Sequence, residues 1–371
     1  MASISKRLTA AGEPRYDVRY RAGGRAVEET FKRRQDADNR VRQVEAERLT
    51  GPVADPRRGR EKLTDFAERW LDTRLVKGKP LAPMTKQGYL GLLARNIEET
   101  IGQCELARIT PSVVRDWYSK VSASAGRDQA AKSYRLLRAI LNTAVDDELI
   151  VRNPCRIRGG GAERADERPM IDSALVFKLA DAISAPLRAL VIVAGFVGLR
   201  TGELLGLRRC DVDIENARLT VLVQAQQVVG QGRIVTGPKS EAGQRTVTLP
   251  KIVVEALEKH LASYGQPGDA GVLFTGPRGE PITRALLSKQ WQAARTAADA
   301  PEGLRIHDLR HHAATLTARM PGITTKELMA RIGHASPRAA LIYQHATEQR
   351  DRAIAAYLDD AITDSTTRQR G

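Results

Sequence analysis

The segment RIHDLRHHAATLTARM, Arg305 to Met320, carries three of the chain's six histidines together with an arginine in one short amphipathic stretch. His307 and Arg310 stand at i and i+3, which puts an imidazole and a guanidinium on one helical face. A second arginine, Arg200, follows the apolar run ALVIVAGFVGL and lies between Gly198 and Gly202, where a buried guanidinium needs an anionic partner. Lys239 sits in TGPKSEAGQRTVTLP, read as the tip of a hairpin, with Arg245 as the alternative cation of that stretch. Further on, RIGHASPRAALIYQHA places His334 directly after Gly333 and Tyr343 nine residues later.

Two arginines, a lysine, two histidines and a tyrosine suit phosphoryl transfer onto a phenol. Two guanidiniums clamp the non-bridging oxygens of a phosphodiester and stabilise the charge of a pentavalent transition state. The attacking phenol, with an ordinary pKa of about 10, and the leaving 5′-oxygen need proton acceptors and donors, which histidine and lysine supply. The tyrosine then holds the phosphoryl group covalently, conserving the bond for religation. The arginines take the charge-neutralising role that a metal ion has elsewhere, so neither cofactor nor metal is expected. His307 and His311 have the i, i+4 spacing of a zinc pair, but no third ligand accompanies them. His311 and His312 have no assigned role, and His345 reads as a packing or hydrogen-bonding residue.

Taken in order, Arg200, Lys239, His307-x-x-Arg310, His334 and Tyr343 resemble the tyrosine recombinases, the phage-integrase family. The resemblance covers about Arg168 to Leu358. It implies that Arg200 and Arg310 hold the scissile phosphate, that Lys239 protonates the leaving 5′-oxygen, that His307 and His334 assist as acid, base and hydrogen-bond donors, and that Tyr343 is the nucleophile. Glu203 matches an acidic position of the family and is expected to orient Arg200 or a neighbour. The implied activity is site-specific recombination, integrating and excising phage or mobile-element DNA through a 3′-phosphotyrosyl link and a Holliday junction. The implied partners are double-stranded core and arm attachment sites, a homotetramer on DNA, a host DNA-bending protein and an excision factor.

The elements that must position these residues follow from pattern and composition. A chain of 371 residues suits two or three domains, and a hydrophobic content of 42% can bury proper cores. The 59 Lys and Arg against 44 Asp and Glu leave a net charge of +15, which attracts polyanions. Three scattered cysteines without CxxC spacing suit a reducing compartment. The opening residues lack a secretory apolar core, and the longest apolar run is too short to span a bilayer, so a cytoplasmic location is expected.

The expected fold is multidomain and mainly α, with small antiparallel β-sheets. Residues 1–52 read as a three-stranded meander plus a helix, resembling an arm-site DNA-binding domain. There Arg15, Arg19, Arg21 and Arg25 make either a basic groove-binding face or an ordinary solvated one. Residues 53–62 form a linker. Residues 63–153 read as an all-helical core-DNA-binding domain, with Thr64 and Thr110 as N-caps. Lys77, Lys79, Lys86, Arg95, Lys132, Arg135 and Arg138 lie off its apolar stripes, facing phosphates or merely water. A second linker, 154–167, precedes an α+β catalytic domain, 168–371. In it RLTVLVQAQ, GRIVTGP and QRTVTLP are expected to form one small sheet, and the tail after Tyr343 is either a trans-packing segment or a frayed end.

Two other readings remain open. One keeps the chemistry in a chromosome-dimer resolvase or a type IB topoisomerase, against which the N-terminal meander counts for the resolvase. The other is a non-catalytic DNA-binding regulator, against which the complete residue set counts.

Overall fold

The computed structural model describes residues 2–22, 25–50, 58–163, 169, 171–238, 240–343, 355 and 358. The chain divides into two compact units, Met1–Asp166 and Glu167–Gly371.

The first unit opens with an antiparallel meander of Ser3–Leu8, Pro14–Ala22 and Arg25–Phe31, followed by the helix Arg34–Thr50. Alternation in the central strand sends Val18, Tyr20 and Ala22 to one face, where they close with Val27, Ala37 and Val44 into a small core. The opposite face is of mixed charge. Arg7 pairs with Asp17 at 2.8 Å and Arg19 with Glu28 at 2.9 Å, and Arg15 pairs with Glu13, so two of the four arginines of the expected basic face, Arg15 and Arg19, are internally compensated.

Four helical stretches follow: Leu63–Thr73, Pro83–Leu93 continuing into π-helical Ala94–Gly102, Pro111–Ala125, and Arg127–Asp146. They close on a separate core built around Phe66, Trp70, Ile97, Trp117, Tyr134, Leu137 and Ile140. Thr110 caps its helix, accepting from the Val113 amide at 3.3 Å. Thr64 does not cap: Lys62 holds that position, and the Thr64 hydroxyl lies inside the first turn, buried and without a hydrogen-bond partner. Nor is the segment all helical. Leu75–Val76 and Lys79–Pro80 pair across a tight turn in which Lys77 and Gly78 both take positive φ, the backbone such two-residue hairpins require. Lys86 pairs with Asp72, and both Lys132 and Arg135 pair with Glu163.

The second unit is built around Arg188–Phe196, apolar on nearly every side and therefore central. Ser173–Ala182, Lys251–Tyr264 and Ile306–Ala318 pack against it, with Arg284–Ala297 behind Ser173–Ala182. Asp172 caps the first of these, accepting from the Leu175 amide at 2.8 Å. The strands form two sheets instead of the single one expected. Arg218–Val221 lies between Val212–Asp213 and Arg245–Thr248, whereas Gln224–Val228 pairs only with Gly232–Thr236. The split falls at Leu222–Val223, and beyond it Gly230 and Gly232 take positive φ and turn the chain so that Gln224–Val228 meets Gly232–Thr236. Thr236 and Arg245 thus belong to different sheets, so the stretch between them is a connection and not a hairpin tip. Lys239 lies outside the described residues, as do His345 and, apart from helical Ala355 and Leu358, the tail after Tyr343. Among the described residues no helix is long and apolar enough to cross a membrane.

Candidate active site

Five segments of the second unit converge. Arg200 is the N-cap residue of the short helix Thr201–Gly206, and its own amide donates to Glu203 at 2.9 Å. Its guanidinium donates to the other Glu203 oxygen at 2.7 Å and to the carbonyl of Gly333. Glu203 is almost wholly enclosed and receives a second cation, Arg245, at 3.1 Å. Burial works to raise the Glu203 pKa, but Arg245 and then Arg200 outweigh it and hold the carboxyl below the usual carboxylate range.

Arg245 enters from the strand Arg245–Thr248 and also donates to the carbonyls of Gly243 and Arg331, each at 3.0 Å. It therefore ties Glu203 to the end of the helix Thr325–Ile332. That helix stops at Gly333, whose left-handed φ of 78° turns the chain toward His334. A side chain at Gly333 would be strained in that conformation, and its Cβ would lie 2.7 Å from the Arg245 guanidinium.

The helix Ile306–Ala318 supplies His307, Arg310 and His311. Arg310 is 3% exposed. One of its terminal nitrogens donates to the Gly198 carbonyl at 2.6 Å; the other is buried with no hydrogen-bond partner among the described residues. Gly198 makes this approach possible, with φ of 77° and a position where a Cβ would stand 3.0 Å from that of Ala313. Burial, followed by repulsion from Arg200, pulls the Arg310 pKa down to about 9, which still leaves it charged at neutral pH. His334 is also enclosed, and its Nδ1 has no hydrogen-bond partner among the described residues. Loss of water and then the charges of Arg310 and Arg200 pull its pKa down to about 4. His307 falls to about 4 as well, through loss of water, neighbouring His311 and Arg310. It keeps an exposed edge, yet the cations push in the same direction as desolvation.

Tyr343 follows the short helix Pro337–Leu341 and lies with its ring stacked on that of His334, 5.9 Å between centroids and 13° between planes. Its hydroxyl is hydrogen-bonded to Nδ1 of His311. Burial raises its pKa despite the opposing effect of Arg310, so the phenol keeps its proton at neutral pH.

The structure thus gathers Arg200, Glu203, His307, Arg310, His334 and Tyr343, and it adds two residues that sequence reasoning left aside. Arg245 had figured only as a substitute for Lys239, although a charged residue opening a strand beside a glycine-rich connection was the available signal. His311 had no role, although its i+4 relation to His307 already placed it on the same face. His312 faces elsewhere: its ring nitrogens meet the Ile171 carbonyl at 3.0 Å and the Ser173 hydroxyl at 3.3 Å, and Phe196 packs edge-on against it. It ties two helices together. Among the described residues, no cluster of three metal-ligating side chains occurs.

The model of the Phage integrase family matches residues 171–350. The prophage phiRv2 integrase of Mycobacterium tuberculosis is 39% identical over 298 residues, 79% of this chain and 77% of that protein. The integrase of Mycobacterium phage L5 is 34% identical over similar shares, 79% and 77%. Among solved structures, the Tn1549 transposon integrase in complex with transposon right end DNA superposes with a TM-score of 0.71 at 21% identity, covering 81% of this chain and all of that one. A lambda integrase tetramer bound to a Holliday junction gives 0.56 at 18% identity, over 90% and 96%. With the converged arginines, histidines and tyrosine, these matches establish that the chain belongs to the phage integrase family and is a tyrosine-type site-specific recombinase.

Proposed function

We propose that this chain integrates and excises the DNA of a phage or similar element, with Tyr343 as the nucleophile. The observation that carries the residue roles is a pair of buried nitrogens without hydrogen-bond partners among the described residues, Nη2 of Arg310 and Nδ1 of His334, the latter on the ring that stacks on Tyr343. Buried polar nitrogens of this kind are costly unless a ligand meets them. A phosphodiester seated there receives Arg310 and His334 directly and Arg200 from the side that Glu203 orients. Its charge relieves the mutual repulsion of the two guanidiniums.

In this reading the Tyr343 oxygen attacks phosphorus in line with the 5′-oxygen, the arginines neutralise charge on the equatorial oxygens, and the strand is left as a 3′-phosphotyrosine. Lys239 protonates the departing 5′-oxygen, and His307 donates to the phosphate once its anion restores the imidazole's basicity. Attack by a partner strand's 5′-hydroxyl reverses the step. Two relatives, the integrases of a mycobacterial prophage and a mycobacterial phage, and a lambda integrase tetramer on a Holliday junction support exchange of strands in pairs by four protomers acting on DNA in the cytoplasm. Residues 1–52 bind arm sites and residues 63–153 grip the core, with a host bending protein and an excision factor setting direction.

A nicked suicide duplex carrying the attachment core, incubated in chelator and resolved on a denaturing gel, tests the reading. Wild type is expected to leave a covalent protein–DNA adduct and Tyr343→Phe none. A wild-type protein that binds the duplex without forming an adduct returns the chain to a DNA-binding regulator.

A further inference from the structure

We infer that His311 is a further catalytic residue, the group that takes the proton of the Tyr343 hydroxyl as it attacks and returns it at religation. The inference rests on Tyr343 being the nucleophile and deepens that reading by naming where its proton goes.

Three observations converge on His311. First, the Tyr343 hydroxyl reaches Nδ1 of this imidazole, and among the described residues it makes no other hydrogen bond. Second, the phenol is held by more than that one contact. His334 stacks flat on its ring, and the His311 ring lies 5.7 Å away at 37°, so the oxygen is kept where Nδ1 can serve it. Third, burial keeps the phenol protonated at neutral pH, so the proton has to leave during attack. Among the described residues neither His307 nor His334 makes a hydrogen bond to that hydroxyl: His307 stands one helical turn before His311, with its ring perpendicular to it at 5.3 Å, and His334 offers Tyr343 a ring face instead of a ring nitrogen.

The step balances without any further reactant. A lone pair of the Tyr343 oxygen forms the bond to phosphorus, and the bond from phosphorus to the 5′-oxygen breaks with its electron pair on that oxygen. The phenolic proton passes to Nδ1 of His311, while the leaving oxygen takes a proton from the acid on its own side, Lys239 in the reading above. Religation runs the same transfers backward, with protonated His311 restoring the phenol as the tyrosine departs. Nδ1 must carry the lone pair at the start, so the resting imidazole holds its proton on Nε2.

The test separates attack from departure. A 5′-bridging phosphorothiolate in the suicide duplex leaves as a thiolate and needs no acid, so it rescues a missing leaving-side donor but not a missing acceptor for the nucleophile. Single-turnover cleavage by His311→Ala and by His311→Gln, which keeps a hydrogen-bonding side chain but no basic nitrogen, is expected to fall on the order of 100-fold on the ordinary duplex and to stay depressed on the phosphorothiolate. Lys239→Ala is expected to recover on the phosphorothiolate. Duplex affinity measured for each variant separates a folded protein from an unfolded one. Cleavage by His311→Gln at the wild-type rate, or recovery of His311→Ala on the phosphorothiolate, overturns the inference. Absence of any adduct in wild type instead removes Tyr343 as nucleophile, a different failure read from a different lane.

Discussion

At the scale of single residues, the site stores positive charge against itself. Arg200 and Arg245 share one buried carboxylate, Glu203, which Arg310 feels without touching, and the imidazoles of His307 and His334 beside these cations give up their protons, each at a pKa of about 4 against an ordinary 6.5. Between pH 6.5 and pH 4 the unfolded chain therefore binds protons at these histidines that the folded chain refuses. Their contribution to stability is complete above pH 6.5 and is lost as the pH falls toward 4. The melting temperature of the protein is expected to drop across that window, and His334→Asn is expected to flatten the drop; an unchanged slope would contradict the assignment. A bound phosphodiester reverses the imbalance, since an anion beside an imidazole favours its protonated form. Core DNA should thus bind with net proton uptake near pH 6, measurable by calorimetry in buffers of different ionisation enthalpy.

At the scale of elements, the site is a junction held by one strand and two helix ends. Arg245 is the tie, because its three acceptors lie on Glu203, Gly243 and Arg331 and so bring a strand, a connection and a helix terminus to one guanidinium. Arg245→Ala leaves Glu203 half-compensated in a buried setting and is expected to cost about 3 kcal/mol of stability. Arg245→Lys keeps the charge but donates from a single nitrogen, which cannot reach acceptors that Nε, Nη1 and Nη2 meet separately, and should recover only part of that loss in a urea titration. Gly333→Ala should fail similarly, since it adds left-handed strain to a collision with the same guanidinium. Much of this junction was legible in the sequence. His307, Arg310, His334 and Tyr343 announce themselves by residue type and interval, and the apolar run before Arg200 marks a central helix. Arg245 and His311 were not legible in the same way. Spacing puts His311 on the face of His307 and a charge opening a strand marks Arg245, but their work depends on which carbonyl, carboxylate or hydroxyl a distant segment delivers, and neither signal encodes that. The strand pairing was misjudged for a related reason. RLTVLVQAQ is β-prone throughout, so nothing in its composition marks the break at Leu222–Val223 that sends its second half to Gly232–Thr236 instead of continuing one sheet.

At the scale of the whole molecule, the question is what the N-terminal meander adds. Its core of Val18, Tyr20, Ala22, Val27, Ala37 and Val44 is separate from the helical core that begins at Leu63, and the residues that gather around Tyr343 all belong to the second unit. Chemistry and core binding should therefore survive its removal. On the proposed reading, a chain beginning at Arg58 is expected to form the tyrosyl adduct on a core duplex within about threefold of the full chain, allowing for the lost share of a favourable but nonspecific charge. The same truncation is expected to abolish binding to an arm duplex. Salt sharpens the comparison. Each neutralised phosphate contributes a slope of roughly 0.9 in a plot of log affinity against log salt. Arg7, Arg15 and Arg19 are already paired with carboxylates, so the meander has fewer uncommitted cations than its composition suggests. Arm binding should accordingly show a shallow slope and depend on groove contacts more than on bulk charge. Equal slopes for core and arm duplexes, or arm binding retained by the truncated chain, would take the arm-site role away from residues 1–52 and leave the meander as a solvated appendage of the helical domain.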